Sequence, residues 1–183
     1  MNSGLACVIL NYNDSDTTQR NVDIIKKYDV IKNIVIVDNC STDSSLSILE
    51  NRYSSEKNIS IIRTSKNGGY GYGNNYGINY VHSKLKSKYA IITNPDAFFA
   101  EETVKNLLDV IKDKDAALVS GVQYINDKEI NDKAWKVPSV LECTFAGTRL
   151  SKLFSYHYSK DHFDTEISEV DCVPGAMILV DVN

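Results

Sequence analysis

Four short apolar runs, each followed by a helical pattern, constrain this chain more than any other feature. They occupy residues 5–10, 34–37, 59–62 and 89–92. A strand that is apolar almost throughout, rather than alternating, is one buried on both faces, and strands joined through helices run parallel. Asp14, Ser15, Asp16 and Thr17 offer N-caps for a helix carrying Val22, Ile24 and Ile25, and Ser41-Thr42-Asp43 caps one through Leu46 and Leu49. Residues 67–77 lead into a third helix running to Lys88. Val104, Leu107, Leu108 and Ile111 then fall at i, i+3, i+4, i+7 of an amphipathic helix over 101–114. Residues 116–119 give a fifth strand, and 169–182 one more, interrupted by Pro174-Gly175. The expectation is an α/β fold, with a mostly parallel sheet and helices on both faces.

The composition sets the class. A chain of 183 residues, 43% apolar and 24% charged, can bury one sizeable core as a single domain. Its net charge of −4 and the lack of a Lys/Arg cluster leave no electrostatic footprint for nucleic acid. No apolar run approaches the ~18 residues that span a bilayer, and Met1-Asn2-Ser3-Gly4 has no basic character of a secretion signal. Cys7, Cys40, Cys143 and Cys172 lie far apart, and His82, His157 and His162 are near no cysteine pair. That excludes a zinc-ligand spacing and fits a reducing, cytoplasmic setting in which Cys7 and Cys172 act as small hydrophobes. Residues 126–168 are polar, aromatic-rich and without periodicity, apart from a short helix expected around 151–156. So long an irregular stretch reads as a binding loop or a mobile segment.

In an open parallel sheet, ligands sit beyond the carboxyl ends of the strands, and the polar residues concentrate there. Asn11, Tyr12 and Asn13 follow the first strand, Asp38 and Asn39 the second, Asn67, Gly68 and Gly69 the third, and Asn94 and Asp96 the fourth. A carboxylate at Asp38 can accept hydrogen bonds from a ribose or a pyrimidine base, with Tyr12 stacking on the base; it can equally close an Asx-turn that caps the next helix. Asp96 is suited to a hard divalent cation such as Mg²⁺ or Mn²⁺, held by one carboxylate plus ligand phosphates, although Asn94-Pro95-Asp96 is also ordinary turn chemistry. The glycines of 67–77 permit close backbone approach at a helix N-terminus, which favours phosphate. They do not form the dinucleotide fingerprint, because Gly69-x-Gly71 is followed by Asn74 and the loop comes after the third strand. No P-loop pattern is present.

Five motifs occur in order: Asn11-Tyr12-Asn13; Val37-Asp38-Asn39-x-Ser41-x-Asp43; the run from Asn67 through Gly69, Gly71, Gly73, Asn74 and Asn75 to Gly77-Ile78; Asn94-Pro95-Asp96; and Val173-Pro174-Gly175-Ala176-Met177. Together they resemble the family 2 inverting glycosyltransferases of GT-A fold, within them the rhamnosyltransferase-like branch. The resemblance covers nearly the whole chain and is clearest over residues 5–100. It implies a donor-binding half over 1–100 and the start of an acceptor half over 101–183. The implied partners are a nucleotide-diphosphate sugar, dTDP- or UDP-linked, and a polysaccharide or lipid-linked glycan acceptor, which would bring the protein to the inner face of a membrane. By the same resemblance Tyr12 and Asp38 hold base and ribose, and Asn67, Gly69 and Asn75 shape the donor pocket. Asp96 ligates the cation bridging the diphosphate, and Gly175 and Ala176 line the floor under the sugar.

Two departures stand out. Many members carry Asp-x-Asp where this chain has Asn94-x-Asp96. The family's general base comes from an acidic pair some tens of residues after the Gly-Ala segment, and nothing in 177–183 matches it. The general base is therefore expected beyond Asn183, the last residue. Asp171 and Glu169 flank the Gly-Ala segment and are weak candidates, read in preference as solvated or cap-like carboxylates at a strand start. The expectation is a donor-binding part of a longer protein, with a non-catalytic nucleotide-sugar-binding subunit as the alternative. A sugar nucleotidyltransferase would need a basic glycine-rich loop where Asn11-Tyr12-Asn13-Asp14 stands. A dinucleotide-dependent oxidoreductase would need its glycines after the first strand.

Overall fold

The computed structural model describes residues 2–126, 128–130, 133–145, 147–148 and 158–182. The elements in order are β1 (Asn2–Asn11), α1 (Ser15–Ile25), β2 (Ile31–Asp38), α2 (Ser45–Tyr53), β3 (Ile59–Arg63), α3 (Tyr70–Tyr80), β4 (Ser87–Thr93), α4 (Glu101–Asp113), β5 (Leu118–Val119), β6 (Tyr124–Ile125), β7 (Lys128–Glu129), α5 (Val140–Phe145) and β8 (Met177–Asp181). A π-helical turn, Val81–Leu85, extends α3, and a 3₁₀ turn spans Lys160–Phe163. The chain forms two compact units, residues 1–121 with 175–183, and residues 122–174.

The first unit is built on a six-stranded sheet ordered β3-β2-β1-β4-β8-β5. β1 runs parallel to β2 and β4, and β2 parallel to β3, while β8 is antiparallel to β4 and β5. Both sheet faces are apolar because successive side chains of the buried strands point to opposite sides. Leu5, Cys7 and Ile9 of β1 join Val22 and Ile25 of α1, Leu49 and Tyr53 of α2, and Val104, Leu108 and Ile111 of α4 in one layer. Ala6 and Val8 join Val35, Val37, Ala90 and Val81 in the other. Each buried Val, Leu or Ile contributes about 1.5–3 kcal/mol. The expected mostly parallel sheet with helices on both faces is what forms.

Some expected boundaries move. The fifth strand is only Leu118–Val119, and within 169–182 the regular strand is Met177–Asp181, with Cys172 in an isolated bridge to Trp135. Pro174 and Gly175 interrupt the ladder, as a missing N–H and a flexible backbone should. The helix expected around 151–156 lies outside the described residues. All four cysteines are free, and burial pushes the Cys7 thiol far up, so it stays protonated and acts as the small hydrophobe its context suggests.

The second unit carries the β6–β7 hairpin, α5 and a ring cluster. Tyr158 stacks on His162 with centroids 4.2 Å apart, and Phe163 meets both edge-on. Lys136 and Lys133 lie over the Tyr158 and Phe163 rings.

Helix α3 approaches the sheet through glycine. A Cβ at Gly77 would stand 2.4 Å from Val8 Cγ1 and 2.9 Å from Val37 Cγ2, and both valines are stiff at χ1. At Gly71, on the same helix, an added Cβ meets nothing within 4 Å. Gly77→Ala should therefore lose stability: overpacking costs about 1–3 kcal/mol, more than the ~1 kcal/mol that alanine gains in helix propensity. Gly71→Ala should be neutral or stabilising by up to ~1 kcal/mol. Urea unfolding of the two variants beside the parent chain checks the contrast.

Candidate functional site

Strand register aligns the polar ends. Asn11 pairs with Asp38 across β1–β2, and Asp38 with Arg63 across β2–β3, so three polar residues stand in one row at the rim. Thr93 pairs with Met177 across β4–β8, which sets Asn94 beside Ala176.

The row closes around the Asp38 carboxylate, which is wholly buried. Asn11 Nδ2 donates to its Oδ1 at 3.1 Å, and the Ser41 backbone N–H to its Oδ2 at 3.0 Å. Arg63 Nε stands 3.5 Å from Oδ2 and its Nη2 donates to the Ser41 carbonyl. Asn11 also donates to the Ser41 hydroxyl and accepts from Thr18. An ionised carboxylate has about four acceptor positions; these contacts occupy three of them. The Ser41 contact closes a turn inside the loop, whereas α2 begins later with Ser44 as its N-cap and no side-chain cap, so Asp38 does not cap that helix.

Asn13, in the left-handed region at φ 53°, locks the first loop to the second: its Oδ1 accepts from the Thr42 N–H at 2.8 Å and its Nδ2 donates to the Thr42 hydroxyl. Asparagine tolerates that conformation better than other side chains. Tyr12, between two anchored neighbours, leaves its ring 43% exposed and available for stacking.

A second knot shapes the glycine-rich loop. Asn39 is buried and donates to Asn67 Oδ1 at 3.0 Å and to the Gly69 carbonyl at 3.3 Å, while Thr64 donates to its Oδ1. Asn67 Oδ1 in turn accepts from the Gly69 N–H. Gly69 sits at φ 84° as the N-cap of α3, a conformation that glycine adopts without Cβ strain. Helix α3 has no side-chain cap, so its first N–H groups are open to an anion. Of the adjacent pair, Asn75 is exposed and Asn74 is buried, with neither amide atom in a hydrogen bond of ordinary geometry.

The third knot joins the end of β4 to the Gly-Ala segment. The Asn94 N–H donates to the Ala176 carbonyl at 2.9 Å, and the Tyr70 hydroxyl donates to the Gly175 carbonyl. Burial pushes the Tyr70 phenol up, with the Asn74 amide opposing it, so it stays a donor at neutral pH. Asn21 of α1 donates to the carbonyls of Asn94, Pro95 and Ala97, and Asp96 at the tip of that turn is exposed.

Among the described residues no three His, Cys, Asp or Glu side chains gather to hold a metal. Asp96 is a single hard oxygen donor, which fits Mg²⁺ or Mn²⁺ only when a bound ligand supplies further oxygens. Asp171 lies in the second unit, where its carboxylate accepts from the Val137 N–H and its own N–H donates to Tyr158; the Glu169 carbonyl contacts His162. Asn183, beyond which the general base is expected, lies outside the described residues, which end at Val182.

Arg63, Thr18 and Asn21 escape a reading from sequence alone. The available signal was polarity on a buried stripe: Ser15, Thr18 and Asn21 share the buried residues of α1 with Val22 and Ile25, and buried polar groups find partners. Asn11→Ala would take one of the donors from the buried Asp38 carboxylate and the acceptor from the Thr18 hydroxyl. It should lower stability by about 2–3 kcal/mol, read as a drop in the urea midpoint at unchanged m-value.

The glycosyl transferase family 2 pattern matches residues 6–183. The low-salt glycan biosynthesis hexosyltransferase Agl10 of Haloferax volcanii is 26% identical over 116 residues, covering 63% of this chain and 35% of that protein. A mannosyltransferase from Pyrobaculum calidifontis, solved in complex with GDP-Man and Mn²⁺, superposes with a TM-score of 0.57 at 21% identity, covering 66% of this chain and 35% of that one. S. aureus TarS, residues 1–349, gives a TM-score of 0.60 at 17% identity over 98% of this chain and 47% of its own. This chain thus spans between about a third and a half of the proteins it is similar to. The structural likenesses establish the α/β fold of GT-A glycosyltransferases, and the match over 6–183 establishes the family: this chain belongs to glycosyl transferase family 2.

Proposed function

We propose that the chain binds a nucleotide-diphosphate sugar, dTDP- or UDP-linked, together with a divalent cation. It serves transfer of the sugar, with inversion, to a polysaccharide or lipid-linked glycan acceptor, as in the rhamnosyltransferase-like branch. The observation that carries this reading is the convergence of four strand ends on one rim, braced by side-chain hydrogen bonds before any ligand arrives. Preorganised polar groups at such a crevice avoid the ordering cost of binding.

In this reading Tyr12 stacks on the base, and Asp38, wholly buried in this structure, takes a base N–H or a ribose hydroxyl once a side chain covering it moves aside. Asn67 and Gly69 set the loop that bounds the donor, with Asn75 on its outer side. Gly175 and Ala176, held by Tyr70 and Asn94, form the floor beneath the sugar. Asp96 would hold Mg²⁺ or Mn²⁺, which as a Lewis acid stabilises charge on the departing diphosphate. Residues 126–168 are proposed to meet the acceptor. Transfer with inversion needs a base within reach of the acceptor hydroxyl. A second reading, that of a nucleotide-sugar-binding subunit, has the chain bind donor without turning it over alone.

A thermal-shift titration with UDP, dTDP, GDP and ADP, with and without Mn²⁺, tests the proposal. Ligand at 100 times its dissociation constant stabilises by about 2.7 kcal/mol, or roughly 5–10 °C for a chain of this size. A Mn²⁺-dependent shift with UDP or dTDP that Asp96→Ala abolishes is the expected result. No shift with any nucleotide overturns it. A shift without sugar transfer or donor hydrolysis selects the second reading.

A further inference from the structure

We propose that Asn21, on helix α1, is the positioning residue for Asp96. The role rests on the reading of Asp96 as the cation-holding carboxylate, and the clamp itself is plain geometry. Asn21 is completely buried, and its Nδ2 donates to the carbonyls of Ala97 at 2.9 Å, Pro95 at 3.0 Å and Asn94 at 3.2 Å. One amide nitrogen, from 73 to 76 residues away in sequence, thus holds the carbonyl before Asp96 and the one after it. The turn is also closed by the Ala97 N–H to the Asn94 carbonyl.

The other half of the amide sharpens the case. Asn21 Oδ1 is buried without a hydrogen-bond partner among the described residues. An orphaned buried acceptor is destabilising, so this side chain is a poor device for stability alone and a good one for fixing three carbonyls. With Asp96 the only carboxylate on its turn, the direction in which it is presented governs whether a cation can be shared with a diphosphate. Groups that hold a metal ligand in place typically change metal affinity by about 10–100-fold when removed.

The test is calorimetric binding of UDP, dTDP and GDP in EDTA and in Mn²⁺ to the parent chain, Asn21→Leu, Asn21→Ala and Val22→Ala. Leucine keeps the side-chain bulk without the donors, which guards against a variant that fails to fold. Val22→Ala weakens the same helix and leaves the clamp intact. The expected result is that Mn²⁺ tightens nucleotide binding to the parent chain and to Val22→Ala. In the Asn21 variants that gain falls by about tenfold or more, with affinity in EDTA unchanged. Amide exchange at Ala97 should also accelerate in them. If the Asn21 variants keep the parental Mn²⁺ gain, the positioning role is overturned, even where exchange at Ala97 speeds up. A parent chain that binds no nucleotide overturns the donor reading itself, and one that binds without a Mn²⁺ gain overturns the role of Asp96 and with it that of Asn21.

Discussion

Covering both faces of a parallel sheet leaves its polar groups one place to go. In this chain β1 and β2 are enclosed by helices above and below, so side chains along their enclosed stretches, residues 5–10 and 34–37, are apolar. Past those stretches the carboxyl ends of the strands bring polar side chains, at Asn11, Asp38, Arg63 and Thr93. Parallel pairing then makes those ends flush. The candidate site is the direct consequence: adjacent strands deliver the polar residues at their carboxyl ends to one rim, and the loops beyond them are short enough to be tied together.

What ties them is mostly asparagine. Asn11, Asn13, Asn21, Asn39 and Asn67 each bridge two or more backbone or side-chain groups across elements distant in sequence. A neutral amide both donates and accepts, so it fixes a loop without adding charge. Asp38 is buried against Arg63, and Asp96 is exposed. A diphosphate approaching Asp96 meets its fixed negative charge, and a cation shared with Asp96 would remove that repulsion.

Legibility differed between the sheet and the rim. The apolar runs and the i, i+3, i+4, i+7 pattern of α4 identified the strands and the helix because burial imposes those periods on sequence directly. The strand ends identified Asn11, Asp38 and Asn94 as rim residues for the same reason. The choice between a ligand role and a capping role for Asp38 was not legible, because both need a carboxylate at a strand end. Neither were Arg63 and Asn21, which act on residues 25 and more than 70 positions away.

By itself, then, the sequence determined the α/β class, the run of strands and helices, and which polar residues would stand at the carboxyl rim, since burial and side-chain periodicity act locally along the chain. Only the tertiary structure decided that β8 runs antiparallel beside β4, that Asn74 rather than Asn75 turns inward, and that Asp38 is closed in by Asn11, Ser41 and Arg63. Those outcomes depend on strand order, register and helix rotation, which bring together hydrogen-bonding groups that no local pattern relates.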